Sequence, residues 1–527
     1  MRGTRSIVGC LLALPVLLLA GCDRGASSER ASSPAPPAPI VIPIDVDPGL
    51  VDPLRASDPR VARVSVLLHE GLCVLDDSVH VRPGVARHWE LTHRGKRLRL
   101  ELDPRARFAA GRRVEPRDVR FTLERLLDPR SASPCAVDLG RLEGASAFRS
   151  GKVDSVSGIV LVDSATVELR FAPVAGAILT CLADPAAAVV PDGLGPGEVP
   201  PGLGPWEVAA RVPGRSLTLV HRAGYHGETP RWPELELRVI DDAWHRRQAF
   251  ESGAIDLLEL APGLPPPTGR LAPHVVEVTD WSVLAIAINC RKYPFDRWRV
   301  RQALNYAIDV QPLIDELLGG AGRRAAGPLS PTLPGDAAGL ECFRHDPAWA
   351  RELLQAAGFA RGFHFEVWYE DGPLARRVLE ALQHQLRRVG VELEPVAASA
   401  RDIAAAIDAG TLDAALCRLR PGMLGAHAFL DERFHSGRFG ATGNVARYES
   451  RGVDRLLGRM RRTYDAGDRD ALARQLEEQL HEAAPWVYLW HPERRVALAP
   501  GIAGYRIAPD PRLERFLSIG RQEAGGP

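Results

Sequence analysis

Residues 375–389, ARRVLEALQHQLRRV, place Val378, Leu379, Leu382, Leu386 and Val389 on one helical stripe, stop at Gly390 and pass directly into the strand pattern VELEPV. A helix that hands over to a strand in this way is typical of one lobe of an α/β protein. The same alternation runs along the chain from Ile40 onward. Leu98-Arg99-Leu100-Glu101-Leu102 alternates with period two and reads as a half-buried strand, as does Leu235-Glu236-Leu237-Arg238-Val239. Residues 116–127, PRDVRFTLERLL, bring Val119, Leu123, Leu126 and Leu127 to one face, with Pro116 suited to the first turn, which predicts a helix of about three turns. Asp346-Pro347 opens another helix: the aspartate caps exposed amides, the proline tolerates the first position, Leu353, Leu354 and Ala357 share a face, and Gly358 is placed to end it. No repeat of fixed period and no coiled-coil heptad interrupts this mixed plan.

At roughly 150 residues per domain, a chain of 527 residues has room for about three domains or a discontinuous two-lobed body. Its 45% hydrophobic and 25% charged residues exclude a polytopic membrane protein and a wholly disordered chain. Lys plus Arg equals Asp plus Glu at 66 each, so nothing draws the protein to nucleic acid. Only Lys96, Lys152 and Lys292 are lysines, which reads as a codon-composition bias rather than a phosphate-binding surface. Proline and glycine gather at 191–205 and 262–267, which read as loops or subdomain edges. The GxG within the first is no nucleotide fingerprint, because prolines 196, 200 and 201 argue against the helix that would meet a pyrophosphate.

The amino terminus sets the compartment. Arg2 and Arg5 precede an apolar run of 14 residues, Ile7 to Ala20, broken by Pro15. This run is shorter than the about 20 residues a membrane-spanning helix needs, and it ends in small residues, so residues 1–21 are expected to be a cleaved export signal. Leu19-Ala20-Gly21-Cys22 resembles the bacterial lipobox, which makes Cys22 the expected lipidation site. Residues 22–40 are rich in Ser, Ala and Pro and read as a tether. Six cysteines remain beyond Cys22: Cys73, Cys135, Cys181, Cys290, Cys342 and Cys417. In an oxidising compartment they are candidates for disulfides, and their spacing does not choose the pairs. No CxxC occurs, so no metal site is expected.

Signatures of a secreted hydrolase are missing. There is no GxSxG, no HExxH and no SxxK with its partner motifs, and His69-Glu70 lacks the second histidine of a zinc protease. Fifteen histidines produce chance neighbours without an acid and base pair that stands out. The expectation is a protein that is not an enzyme and carries no cofactor.

Several blocks in order, LLHEGLCVLDD (67–77), RPGVARHWEL (82–91), FAAGRRVEPRDVRFTLERLLDP (108–129), the turn Gly202-Leu203-Gly204-Pro205-Trp206, RAGYHGETPRWPELELRVIDD (222–242), FESGAIDLLEL (250–260), NCRKYPFDRWRVRQALNYAID (289–309), DPAWARELLQAAGF (346–359) and APWVYLWHP (484–492), resemble family 5 of the bacterial extracellular solute-binding lipoproteins, which serve peptide and nickel importers. The resemblance implies a two-lobed α/β fold of the periplasmic-binding-protein type II class. A first lobe at 41–280, with an extra subdomain near 76–200, would be followed by a second lobe at 281–490 and a return to the first at 491–527. It further implies a monomer, lipid-anchored on the periplasmic face of the cell membrane, that delivers a small solute to an ABC permease with separate ATPase subunits. A receptor-fold lipoprotein acting as a sensor or interaction protein is the alternative.

In peptide-binding members an aspartate of the second lobe meets the ligand's ammonium group. The matching stretch here is ALCRLRPGMLGAHAFL (415–430), where that position falls near Gly422 and no acid occurs between Asp413 and Asp431. Arg418 and Arg420 in the same stretch suit a carboxylate or phosphate, and Met423 and His427 are candidate nickel or haem contacts. By analogy Ser57, Asp58, Trp281 and Ser282 are further cleft candidates, and Cys290 with Cys417 is the disulfide that the resemblance favours.

Overall fold

The computed structural model describes residues 37–522 apart from 50–51, 56–57, 77–79, 132, 134, 173–176, 196, 264–273, 334, 337–338 and 423–424. The segment expected to be a signal, most of the tether, Cys22, Ser57 and Met423 therefore lie outside the described residues.

Three sheets organise the chain. In the first, Ile40–Ile44 pairs in parallel with Glu234–Val239, which continues antiparallel to Ser216–His221 and then to Trp206–Val212. Ile40, Ile42, Leu217, Leu219, Leu235 and Leu237 bury one face of this sheet against Val64, Leu67 and Leu68 of the helix Pro59–Leu68. Each such aliphatic side chain contributes roughly 1.5–3 kcal/mol of burial energy. The turn Gly202 to Trp206 crosses this helix where its last carbonyls emerge. A Cβ on Gly204 would collide with the Leu67 carbonyl oxygen, so only glycine fits there.

The second sheet, in the order Ala86–Thr92, Arg97–Leu102, Thr166–Arg170 and Ile159–Leu161, is antiparallel and carries the helix Pro116–Leu127. Val119, Leu123, Leu126 and Leu127 are buried in the core that this sheet shares, as the 3.6-residue period predicts. The helix start is secured by a capping box between Glu115 and Asp118, and the buried Asp118 is itself held by Arg112 at 2.7 and 3.0 Å.

The third sheet carries the helix-to-strand unit. Pro373–Arg387 leads into Val391–Ala398, which pairs in parallel with Phe363–Glu370 and buries Val378, Leu379, Leu382 and Leu386 beneath it. Pro347–Ala356 is the helix expected after Asp346, whose Oδ1 accepts from the Trp349 amide at 3.0 Å. The strand Trp486–Leu498 is 13 residues long and joins two neighbourhoods. Its first part pairs with Val283–Ile288 and Gly322–Arg324, and its last part with His274–Thr279 and Leu257–Glu259. The strands His274–Thr279 and Val283–Ile288 run beside it on the two sides of Asp280-Trp281-Ser282, so the chain passes between the two neighbourhoods at 280–282 and near 491–494.

Candidate functional site

The crossing is polar because the strands change partners there, and backbone groups and charges replace the continuous ladder. Asp280 sits at the turn, with its side chain 1% exposed. Its Oδ1 accepts the Ser282 amide at 2.6 Å, and its Oδ2 accepts Arg420 Nη2 at 2.8 Å and Arg418 Nη2 at 3.3 Å. Arg418 also donates through Nε to the Ser282 hydroxyl at 2.9 Å. These two arginines lie at the end of Ala414–Leu419, whose register sets Leu419 opposite Val283 and Arg418 opposite Leu284, and this brings the guanidinium groups over the turn. Arg420 reaches on to Asp510 at 3.5 Å, and Asp510 is gripped by Arg512 through two bonds of 3.0 and 2.8 Å. Burial opposes ionisation of Asp510, but Arg512 and Arg420 outweigh it and hold the carboxyl at about 2. Three guanidinium groups thus face two carboxylates, and Arg418, whose side chain is 51% exposed, carries the remaining positive charge to the surface.

A cavity of about 550 Å³ opens nearby. Trp89, Leu179 and Thr180, from the segment with the second sheet, form one wall, and His427, Tyr464 and Arg469 form the other. Arg141 donates to the Arg461 carbonyl at 3.0 Å. His427 is buried, neither ring nitrogen has a hydrogen-bond partner among the described residues, and burial lowers its pKa, which keeps the imidazole neutral at pH 7. Two cavities of similar size lack this arrangement. One of about 600 Å³ is bordered by Glu70, Tyr225, His226 and Arg515, where Arg515 and Tyr225 donate to Glu70 and His226 Nε2 lies 2.9 Å from it. The other, about 620 Å³, is lined by Tyr306, Phe343, Trp349 and His481, all from the segment after Ile288. The lining of the first cavity comes from 75–180 and 425–473, on either side of the crossing at 280–282, whereas that of the second comes from 70–105, 225–228 and 504–519; a ligand in the first gains contacts when its two walls approach.

The structure redistributes the residues picked out by sequence. Arg418 and Arg420 do lie together, but both are bound to Asp280 rather than standing free for an anion. Ser282 is fully buried, and its hydroxyl positions Arg418. Trp281 is fully buried in a core with Val283, Ala285 and Phe429 that also contains the cavity-lining Leu75, Ala426 and Ala473. Asp58 is a correction, since it caps the helix Pro59–Leu68 by accepting the Arg60 amide at 3.0 Å and pairs with the Arg60 side chain. The expected Cys290–Cys417 bridge is a second. Cys417 lies opposite Ala285, five residues before Cys290. That offset is roughly 17 Å along a strand, far beyond the about 7 Å a disulfide tolerates.

One carboxylate near the predicted stretch escaped the sequence reading. A Cβ built on Gly422 would meet Glu432 Oε2 at 3.0 Å, so the Glu432 carboxylate occupies the place beside Gly422 that the local stretch leaves without an acid. Burial raises the pKa of Glu432 against the pull of Arg433, whose Nη2 lies 3.1 Å away. Glu432 is one turn from the end of the helix Ala426–Phe434 and ten positions from Gly422, and no spacing rule connects the two.

Comparison with known proteins gives one consistent pattern. The model for bacterial extracellular solute-binding proteins, family 5 (middle), matches residues 80–441. Heme-binding protein A of Haemophilus influenzae is 25% identical, with 94% of this chain and 96% of that protein aligned. The glutathione-binding protein GsiB of Salmonella typhimurium is also 25% identical, over 92% of this chain and 95% of that one. Among solved structures, NikA from Brucella suis in complex with Fe(III)-EDTA superposes with a TM-score of 0.79 at 20% identity, covering 92% of this chain and all of that one, which establishes the shared two-lobed α/β fold.

Proposed function

The chain belongs to the bacterial extracellular solute-binding proteins of family 5, and from that premise we propose that it captures a short peptide or peptide-like solute bearing an anionic group and delivers it to an ABC permease. Family members bind their ligands outside the membrane and work with a permease and its ATPase; they are binding proteins, not enzymes. In this reading the protein is a monomer held to the periplasmic face of the membrane by a lipid on Cys22, and its lobes pivot at 279–283 and 490–494. The observation that carries the proposal is the cavity lined by residues within 75–180 on one side and 425–473 on the other, whose volume of about 550 Å³ suits a small organic ligand. Trp89 and Tyr464 offer flat apolar surface, while Arg82 and Arg469 supply positive charge for a carboxylate. The carboxylate of Glu432 beside Gly422 takes the ligand's ammonium group. The identity to a glutathione-binding relative supports a peptide-like ligand with an extra acid.

Native mass spectrometry of residues 23–527 from an exporting host, with ligand release under denaturing conditions, tests this reading. A bound series of short peptides is the expected outcome. Glu432→Gln should weaken peptides with a free amine about 10- to 100-fold and leave amino-blocked peptides unchanged, as expected for loss of a charge-assisted contact. An empty protein that shows no thermal shift with peptides, glutathione or haem would refute the transport reading.

The unpartnered, neutral imidazole of His427 in the cavity wall favours haem as the second reading, in line with the haem-binding relative. Titration with haem should then give an absorbance change that His427→Ala abolishes.

A further inference from the structure

Of the six cysteines beyond Cys22, one pair is in mutual contact. Cys135 Sγ donates to the Cys181 carbonyl at 3.5 Å, and Cys181 Sγ lies 4.0 Å from the Cys135 carbonyl. Both residues are fully buried in the core beneath the second sheet, Cys135 at the start of the helix Ala136–Leu139 and Cys181 within Ile178–Leu182. Neither touches the ligand cavity, so their chemistry is not used there. Cys73 shares this core.

We propose that Cys135 and Cys181 form a disulfide in the exported protein. The inference rests on delivery of the chain to an oxidising compartment and not on the identity of the ligand. Both S–H bonds break and one S–S bond forms; the two electrons and two protons pass to the disulfide of an envelope thiol oxidant, which leaves as a dithiol. Burial pushes both thiols toward the protonated form once the core has closed, so the exchange belongs to folding, while the sulfurs are still open to the oxidant. The bridge closes a 46-residue separation that contains the strands Ile159–Leu161 and Thr166–Arg170. It therefore pins the segment Ile178–Leu182, from which Leu179 and Thr180 line the cavity.

The test uses the full-length protein taken from the envelope of an exporting host, denatured with a thiol alkylator and no reductant, and read peptide by peptide. The expected result is alkylation at Cys73, Cys290, Cys342 and Cys417, with Cys135 and Cys181 protected and recovered in one cross-linked fragment that reductant separates. A C290S/C417S variant should keep this protection. Alkylation of Cys135 and Cys181 without reductant, or a cross-link from Cys73 to either, would overturn the proposal. The readout is taken on the unaltered chain, so it does not depend on whether a Cys135 or Cys181 variant folds.

Discussion

The strand Trp486–Leu498 has two apolar ends and a polar middle. From Trp486 to Trp490 every residue is buried against the strands around Val283–Ile288, and Val496 to Leu498 are buried in the other neighbourhood, whereas between them His491 bonds the Ser282 carbonyl and Arg494 and Arg495 meet carboxylates. The ends depend on apolar area, a non-directional force that tolerates small changes. In the middle, Arg494 bonds Glu514 at 2.9 Å and Glu259 at 3.2 Å, and the nearby Asp510 with Arg512 is almost fully shielded, so each charge there depends on one or two directional partners. A pivot made in this way can turn about a few directional contacts while the packed ends move as rigid bodies.

The sharpest way to break this contrast is to remove one charge from the pivot. Asp510→Asn strands Arg512 and weakens Arg420, and chemical denaturation should show a loss of about 3–5 kcal/mol, the cost of an unpaired buried charge. Acid should act in the same direction in the unaltered protein. The Asp510 carboxyl titrates near 2 when folded, below its unfolded value, so its stabilisation is present above about pH 4 and lost as pH falls toward 2.

The next effect belongs to His491, buried and bonded through Nδ1 to the Ser282 carbonyl at 3.0 Å. Burial lowers its pKa to about 4, so it folds as the neutral ring, and between pH 6.5 and 4 the unfolded chain takes up the proton in preference. Its contribution is complete above pH 6.5 and decays as pH falls through that window, by roughly 3 kcal/mol. Urea denaturation of His491→Asn across that range should show a flatter pH dependence than the wild type.

At the apolar end, Ile286→Val removes one methylene from a side chain that is 1% exposed, and the loss should be about 0.5–1.5 kcal/mol with no pH dependence. The smallest effect is expected from Arg418→Gln. Its side chain is 51% exposed, so stability should change by less than about 1 kcal/mol, as calorimetry would show. A larger loss would mean that Arg418 is as tightly bound into the pivot as Arg512.

The elements were legible where the information is local. The period of PRDVRFTLERLL yields the helix Pro116–Leu127, and the stripe ending at Gly390 yields Pro373–Arg387 and the strand that follows. Asp346 caps its helix as its neighbours require. The site was legible only in outline. Arg418 and Arg420 stood out in the right stretch, but their partner Asp280 lies 138 positions from Arg418, and Asp510 lies 90 from Arg420. Trp281 and Asp58 were assigned to a cleft by analogy, and the fold uses one as core and the other as a cap.

Period, caps and glycine stops belong to the sequence alone, because each is decided within one turn of helix or a few residues of strand. Which carboxylate meets which guanidinium, where Glu432 comes to rest beside Gly422, and which cysteines touch were decided by tertiary structure. Those contacts depend on strand register and on where the chain crosses between lobes, and a one-residue change in register would redirect every one of them with the local patterns intact.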